Sequence, residues 1–87
     1  MNTIDTLRQR LAALEPRQVD IIDDSHRHAG HAGARDGGGH YRLFIVAAAF
    51  AGKRTMERHR LVYDAAGDLM KRQIHALSIT AKAPDEI

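Results

Sequence analysis

Six histidines and no cysteine set the chemistry open to this chain of 87 residues. His26, His28 and His31 fall within six positions of one glycine-rich stretch, while His40, His59 and His75 stand apart. Imidazole is a suitable ligand for iron, and a pair of histidines can replace two cysteines on one iron of a [2Fe–2S] centre. A chain without thiols is therefore compatible with half of such a site and not with a whole one. The same lack of cysteine removes a disulfide framework, a Cys-rich zinc knuckle and a cysteine nucleophile from consideration. A loop rich in His and Gly is also the composition of a solvated, mobile connection. The residues alone leave both readings open.

The isolated histidines divide by context. His75 opens an alternating segment on the same parity as Leu77 and Ile79, which reads either as a ligand or as a histidine at the edge of the core. His59 stands between Arg58 and Arg60, where two guanidinium groups disfavour a further cation, so a structural or surface role is expected. His40 begins an apolar run and could orient the loop before it. Lys53, Arg54, Arg58, Arg60, Lys71 and Arg72 gather around one segment. They form a solvated face or a set of phosphate contacts, which position a protein without conferring sequence specificity. The balance of 13 basic against 11 acidic residues gives +2, with an isoelectric point near 9.4. That is mild for a dedicated nucleic-acid binder. Catalysis is not expected. Asp23-Asp24 is a loop end, Asp64 and Asp68 form a helical i, i+4 pair, and Ser25 has no assignable base.

The elements that must position these groups follow from periodicity. Ile4, Leu7, Leu11 and Leu14 line one face of a helix, capped by Asn2 or Thr3 and stopped by Pro16. A short strand is centred on Val19-Asp20-Ile21-Ile22 and ends at Asp23-Asp24-Ser25. The run from Ser25 to Gly39 contains almost nothing that could join a core. A loop of this length is uncommon in a compact domain and usually functional or disordered. Its Gly30–Gly39 part is expected to be mobile without a partner, because ordering so many glycines is entropically costly. A strand from His40 to Ala47 is apolar on both parities, as a central strand would be. Gly52 makes a turn, and a long helix is expected from about Thr55 to Arg72, capped by Thr55. Its buried stripe reads Met56, Val62, Ala65, Ala66, Leu69 and Met70, and Gly67 within it suggests close packing of another element. The last strand is Ile74 to Thr80, and the tail from Ala83 to Ile87 is polar and expected to fray. Strands one and two can pair antiparallel, while the crossover helix makes strand three parallel to strand two. The expected architecture is one α+β domain over residues 1–87, α-β-β-α-β. It has a three-stranded mixed sheet with both helices on one face. The N-terminus shows no signal-peptide pattern and the longest apolar run, Leu43 to Ala51, is too short to cross a bilayer, so a cytoplasmic protein is expected.

Four segments in this order carry a family resemblance: Ser25-x-x-His28, Phe50-x-Gly52-Lys53, Arg58-His59-Arg60-Leu61-Val62-Tyr63 and Ile74-His75-Ala76-Leu77-Ser78-Ile79. Together they resemble the BolA family over nearly the whole chain. Ala47 stands where a Ser is usual, and Ala83-Pro84 where Thr-Pro is usual; neither touches a candidate ligand. The resemblance implies a fold like a type II KH domain. It also implies a heterodimer with a monothiol glutaredoxin, the two proteins sharing a [2Fe–2S] cluster. His75, from the His-Ala-Leu motif, and His28, from the first loop, hold the positions of the BolA-side ligands, and His31 lies close enough in sequence to His28 to substitute. Glutaredoxin would bring its active-site cysteine and a glutathione thiolate. Members of the family have also been regarded as transcriptional regulators. The alternative is therefore a DNA-binding regulator using Lys53, Arg54, Arg58 and Arg60, with weak binding expected at this net charge. A homodimer in the partner's absence is left open. The literal G-x-x-G of Gly30 to Gly33 lies between two strands rather than two helices, so it does not reproduce the nucleic-acid clamp of KH domains.

Overall fold

The computed structural model describes residues 2–24 and 39–87. Helix α1 spans Thr3–Leu11, with Asn2 as its cap: the Asn2 side chain accepts a hydrogen bond from the Asp5 backbone N–H at 2.8 Å. The helix ends earlier than Pro16 would require. A 3-10 turn covers Ala12–Leu14, and Glu15 takes the left-handed conformation that closes it, at φ 50°. Leu7 and Leu11 are fully buried, and Ile4 and Leu14 pack against the same core.

Strand β1 (Gln18–Asp23) pairs antiparallel with β2 (Gly39–Val46), and β2 pairs parallel with β3 (Ile74–Lys82). Among the described residues the sheet order is β1-β2-β3, with β2 central, as the crossover argument predicts. Tyr41, Leu43 and Ile45 of β2 point to the buried side, where they meet Leu7 and Leu11 of α1 and Val62 and Ala66 of α2 (Thr55–Ala66) in a single cluster. Each fully buried aliphatic or aromatic side chain there contributes about 1.5–3 kcal/mol relative to exposure. The opposite face is open. Asp20, Ile22, Arg42, Phe44, Ser78 and Thr80 line a shallow concavity on it. The apolar residues on both parities of β2 thus mark a central strand, with Phe44 half-buried on the more open face and Val46 buried at the strand's end.

Five expectations are corrected. The long helix divides at Gly67 into α2 and a single turn, α3 (Leu69–Arg72). Gly67 sits at φ 60° and ψ −131°, a conformation that side chains rarely adopt, and the Arg10 guanidinium lies against it. Arg10 Nη1 donates to Ala66 O at 2.9 Å and pairs with Asp68. The neighbour expected at Gly67 is therefore α1, reached through one arginine. Met56 is not in the buried stripe but 78 % exposed, because α2 packs through Val62 and Ala66. The N-cap is Arg54 rather than Thr55, and Glu57 accepts from the Arg54 backbone N–H at 3.0 Å. The tail does not fray. Ala83 is buried, Pro84–Glu86 forms a 3-10 turn, and Glu86 is held by Arg58. β3 also continues to Lys82, past the expected Thr80.

Candidate metal-ligating site

The start of β3 is irregular, and the irregularity falls on a histidine. Gly39 is registered with Ile74 and His40 with Ala76, so His75 is the extra residue of a bulge. A bulge inserts one residue, bends the strand and re-aims side chains. Here it lets Ile74 and Leu77, of opposite parity, both turn inward: Ile74 is buried and Leu77 packs against the core. His75 is left exposed. Shared parity with Leu77 and Ile79 had made a core-edge histidine an open reading, and the bulge decides against it.

The backbone around His75 is held from three sides. Gly39 N–H donates to Gln73 O at 3.0 Å, and Asp24 N–H donates to His40 O at 2.7 Å. Asp24 also pairs with Arg42, Oδ2 to Nε, at 2.6 Å. The Thr3 hydroxyl of α1 donates to Gln73 Oε1 at 2.9 Å. Gly39 permits the close approach of the Tyr41 ring, against which any Cβ at that position would collide. The site's scaffold is thus strand backbone and the floor of the core, while its imidazole projects outward.

His40 stands beside His75, with ring centroids 5.1 Å apart and planes tilted by 42°. Sequence reading gave His40 only a role in orienting the loop. The signal that could have found the pair was available: two histidines opening two strands expected to be parallel neighbours. Among the described residues no group of three or more His, Cys, Asp or Glu comes together as a complete metal site. His28, His31 and His26 lie outside the described residues, as does the expectation of a mobile Gly30–Gly39 segment apart from its last residue. The described chain stops at Asp24 and resumes at Gly39, both at the His40–His75 end of the sheet.

The basic residues separate into two kinds. Arg58 is committed: its Nε donates to Lys53 O at 2.8 Å, and Nη1 donates to Ala81 O at 3.0 Å. Two nitrogens also engage Glu86, at 2.6 and 2.9 Å. The hydrogen bonds from Arg58 and from the Ala83 N–H hold the Glu86 carboxyl at about 2, well below its usual range. The Arg58 guanidinium is correspondingly raised by Glu86. Lys53, Arg54 and Arg60 are exposed. Arg60 shares a surface patch with Met56, His59 and Tyr63, all from one face of α2. No helix among the described residues is long and apolar enough to cross a membrane.

A profile of the BolA-like protein family matches residues 11–86. The chain belongs to the BolA family. SufE-like protein 1, chloroplastic/mitochondrial, of Arabidopsis thaliana is 45 % identical over 87 residues, covering 93 % of this chain and 24 % of that protein. This BolA chain thus spans about a quarter of that relative's length. The structure of BolA1 from Arabidopsis thaliana superposes with a TM-score of 0.84 at 34 % identity, covering 100 % of this chain and 98 % of the other. The DNA-binding transcriptional regulator BolA of Escherichia coli strain K12 is 31 % identical over 68 residues, covering 78 % of this chain and 62 % of that protein. The resemblance read from the Phe50, Arg58 and Ile74 segments and the α+β mixed-sheet architecture it implied are both borne out for this BolA domain.

Proposed function

We propose that this BolA-family chain is a non-enzymatic accessory protein that supplies imidazole ligands to a [2Fe–2S] cluster shared with a monothiol glutaredoxin, in cluster trafficking or iron sensing. The observation that carries the reading is His75. It is the one residue of β3 without a register partner on β2, it is exposed, and its backbone neighbours are pinned before any cluster binds. The donor set fits half a cluster. With no cysteine in the chain, the thiolates must come from the glutaredoxin cysteine and glutathione. His28 is the second proposed ligand. It follows Asp24 by four residues, at most about 14 Å of extended chain, a distance compatible with the assignment. His31, three residues further on, is the substitute. The bound cluster supplies the iron; the chain's own part is to present His75 from a rigid strand and to bring the loop imidazole to it. Mixing the purified chain with glutaredoxin, glutathione, iron and sulfide tests this by visible absorption and circular dichroism. A spectrum distinct from that of the glutaredoxin cluster alone is expected, and an identical one refutes the reading.

The second reading is a DNA-binding regulator. It is favoured by the name of the Escherichia coli relative and by the exposure of Lys53, Arg54 and Arg60. Arg58, spent on Glu86 and two carbonyls, contributes little to a phosphate-binding face. At a net charge of +2, binding in the nonspecific range of about 10⁻⁴–10⁻⁶ M is expected at physiological salt. Nanomolar, sequence-selective binding at that salt would promote this reading above the first.

A further inference from the structure

The three-stranded sheet has two free edges, and the fold treats them differently. On β1 the Val19 carbonyl accepts from Arg8 Nη1 at 2.9 Å, and Asp20 and Asp23 add charge to the strand. Charges and covered carbonyls keep a strand edge from pairing with another chain. On β3 the Ala47 N–H donates to Lys82 O at 3.0 Å, which sets the phase of the parallel ladder. Ala76, Ser78, Thr80 and Lys82 therefore turn their backbone groups to β2, while Leu77, Ile79 and Ala81 turn theirs outward. The Ala81 carbonyl fits that phase, since it accepts from Arg58 Nη1 at 3.0 Å. Among the described residues, the outward N–H and C=O of Leu77 and Ile79 meet no partner.

Residues 76–80, between the Arg58 contact at Ala81 and the bulge at His75, carry no charged side chain. Ala76, Ser78 and Thr80 are exposed, and Leu77 and Ile79 are half-buried on the core side. A cleft of about 170 Å³ separates residues 79–82 from Thr55, Arg58 and His59 of α2. Consecutive strand residues of both parities line it, which places it along the margin of β3.

We propose that β3 is a self-association edge: two copies of the chain pair β3 antiparallel to β3 about a two-fold axis at Ser78, joining two three-stranded sheets into one of six. What singles out a second copy is the symmetry of the strand. Its free stretch is bounded three residues from Ser78 on both sides, by the bulge at His75 and by the Arg58-held Ala81. In this register Leu77 faces Ile79 of the second copy and the reverse, so every outward donor of these residues finds an outward acceptor. Ser78 meets Ser78, Ala76 meets Thr80, and no like charges are opposed. The strip is narrow compared with the roughly 1,200 Å² or more of a stable interface, so the dimer is weak and fills at high concentration. The inference goes beyond both functional readings and depends on neither.

The test is the concentration dependence of the full chain, followed by sedimentation velocity and by hydrogen exchange of individual amides in NMR. Wild type should pass from monomer to dimer between micromolar and millimolar concentration. The Leu77 and Ile79 amides should exchange more slowly as it does, and the Val19 and Ile21 amides of β1 should not. Ser78→Lys opposes two like charges at the axis and should weaken the dimer about fivefold. Gln9→Lys, which adds the same charge at an exposed position of α1, should leave it unchanged. Ile79→Pro removes one outward donor per chain without touching the ladder to β2, and should cost about tenfold or more. Circular dichroism checks each variant for folding. Ser78 is exposed, so a folding defect in Ile79→Pro does not remove the test. A wild-type chain that stays monomeric at millimolar concentration overturns the proposal, as does a dimer indifferent to both Ser78→Lys and Ile79→Pro. Protection of the Leu77 and Ile79 amides that arises only on adding glutaredoxin, with the chain alone monomeric, overturns it too and gives the edge to that partner.

Discussion

The two ends of the sheet solve opposite problems with similar residues. At the end where β2 and β3 finish, a cation from α2 is consumed by the fold. Arg58 reaches the Ala81 carbonyl on β3 and both oxygens of Glu86, and its own loop carbonyl at Lys53. At the other end, where β2 and β3 begin, backbone bonds and the Asp24–Arg42 pair hold the main chain while His75 is left exposed against His40. Polar groups whose partners are supplied by the fold are structural. A polar side chain held in place yet exposed by a bulge is available to something outside the chain. Charge and sequence motif do not separate the two ends. The supply of partners does.

That contrast can be broken in several ways. The largest expected effect is on the heterodimer: His75→Ala should remove the shared-cluster absorption and circular dichroism altogether. His28→Ala should weaken them, with a remainder lost in the His28/His31 double variant. A His75→Ala protein keeping the wild-type heterodimer spectrum would end the assignment. Neighbouring residues of the same bulge should behave oppositely in stability. Ile74→Ala, removing a buried side chain, should cost about 2–5 kcal/mol in urea unfolding. His75→Ala, at an exposed position, should change stability by no more than about 0.5 kcal/mol. Equal losses at the two positions would show that His75 is a core residue.

At the far end, Arg58→Ala should lower Tm by freeing the tail and two carbonyls, yet leave cluster loading unchanged. Loss of loading in a folded Arg58→Ala protein would show that the ends are coupled. The smallest effect is in acid. The Glu86 carboxyl is held at about 2 in the folded chain, below its ordinary 4.5. A lowered carboxyl contributes stability that is fully present above its unfolded value and is lost as pH falls through the folded one. Urea midpoints should therefore decline between about pH 4.5 and 2, and Glu86→Gln should flatten that part of the profile. An unaltered decline in Glu86→Gln would place the acid sensitivity elsewhere.

Much of the architecture was legible without the structure, and the candidate site less so. The helix of Leu7 and Leu11 and the strands around Ile21 and Leu43 announce themselves by local period, and the crossover through α2 dictates a parallel pairing of β2 and β3. His75 was legible as a candidate through its motif, but its exposure was not, since the period of a strand is blind to one inserted residue.

The sequence by itself determined the order and type of most elements, the strand directions and a thiol-free donor set rich in imidazole, because these follow from local period, from the connections between elements or from composition. Only the tertiary structure decided which polar groups were already taken. Gly67 ends a helix because Arg10 of α1 arrives there, Met56 is exposed because α2 leans on Val62 and Ala66, and the tail is ordered because Arg58 captures Glu86 from 28 residues away. His40 and His75 face each other because a bulge resets the register between two strands. Each of these outcomes is a pairing between distant segments, and such pairings are settled by how packed elements fit rather than by any local preference of the chain.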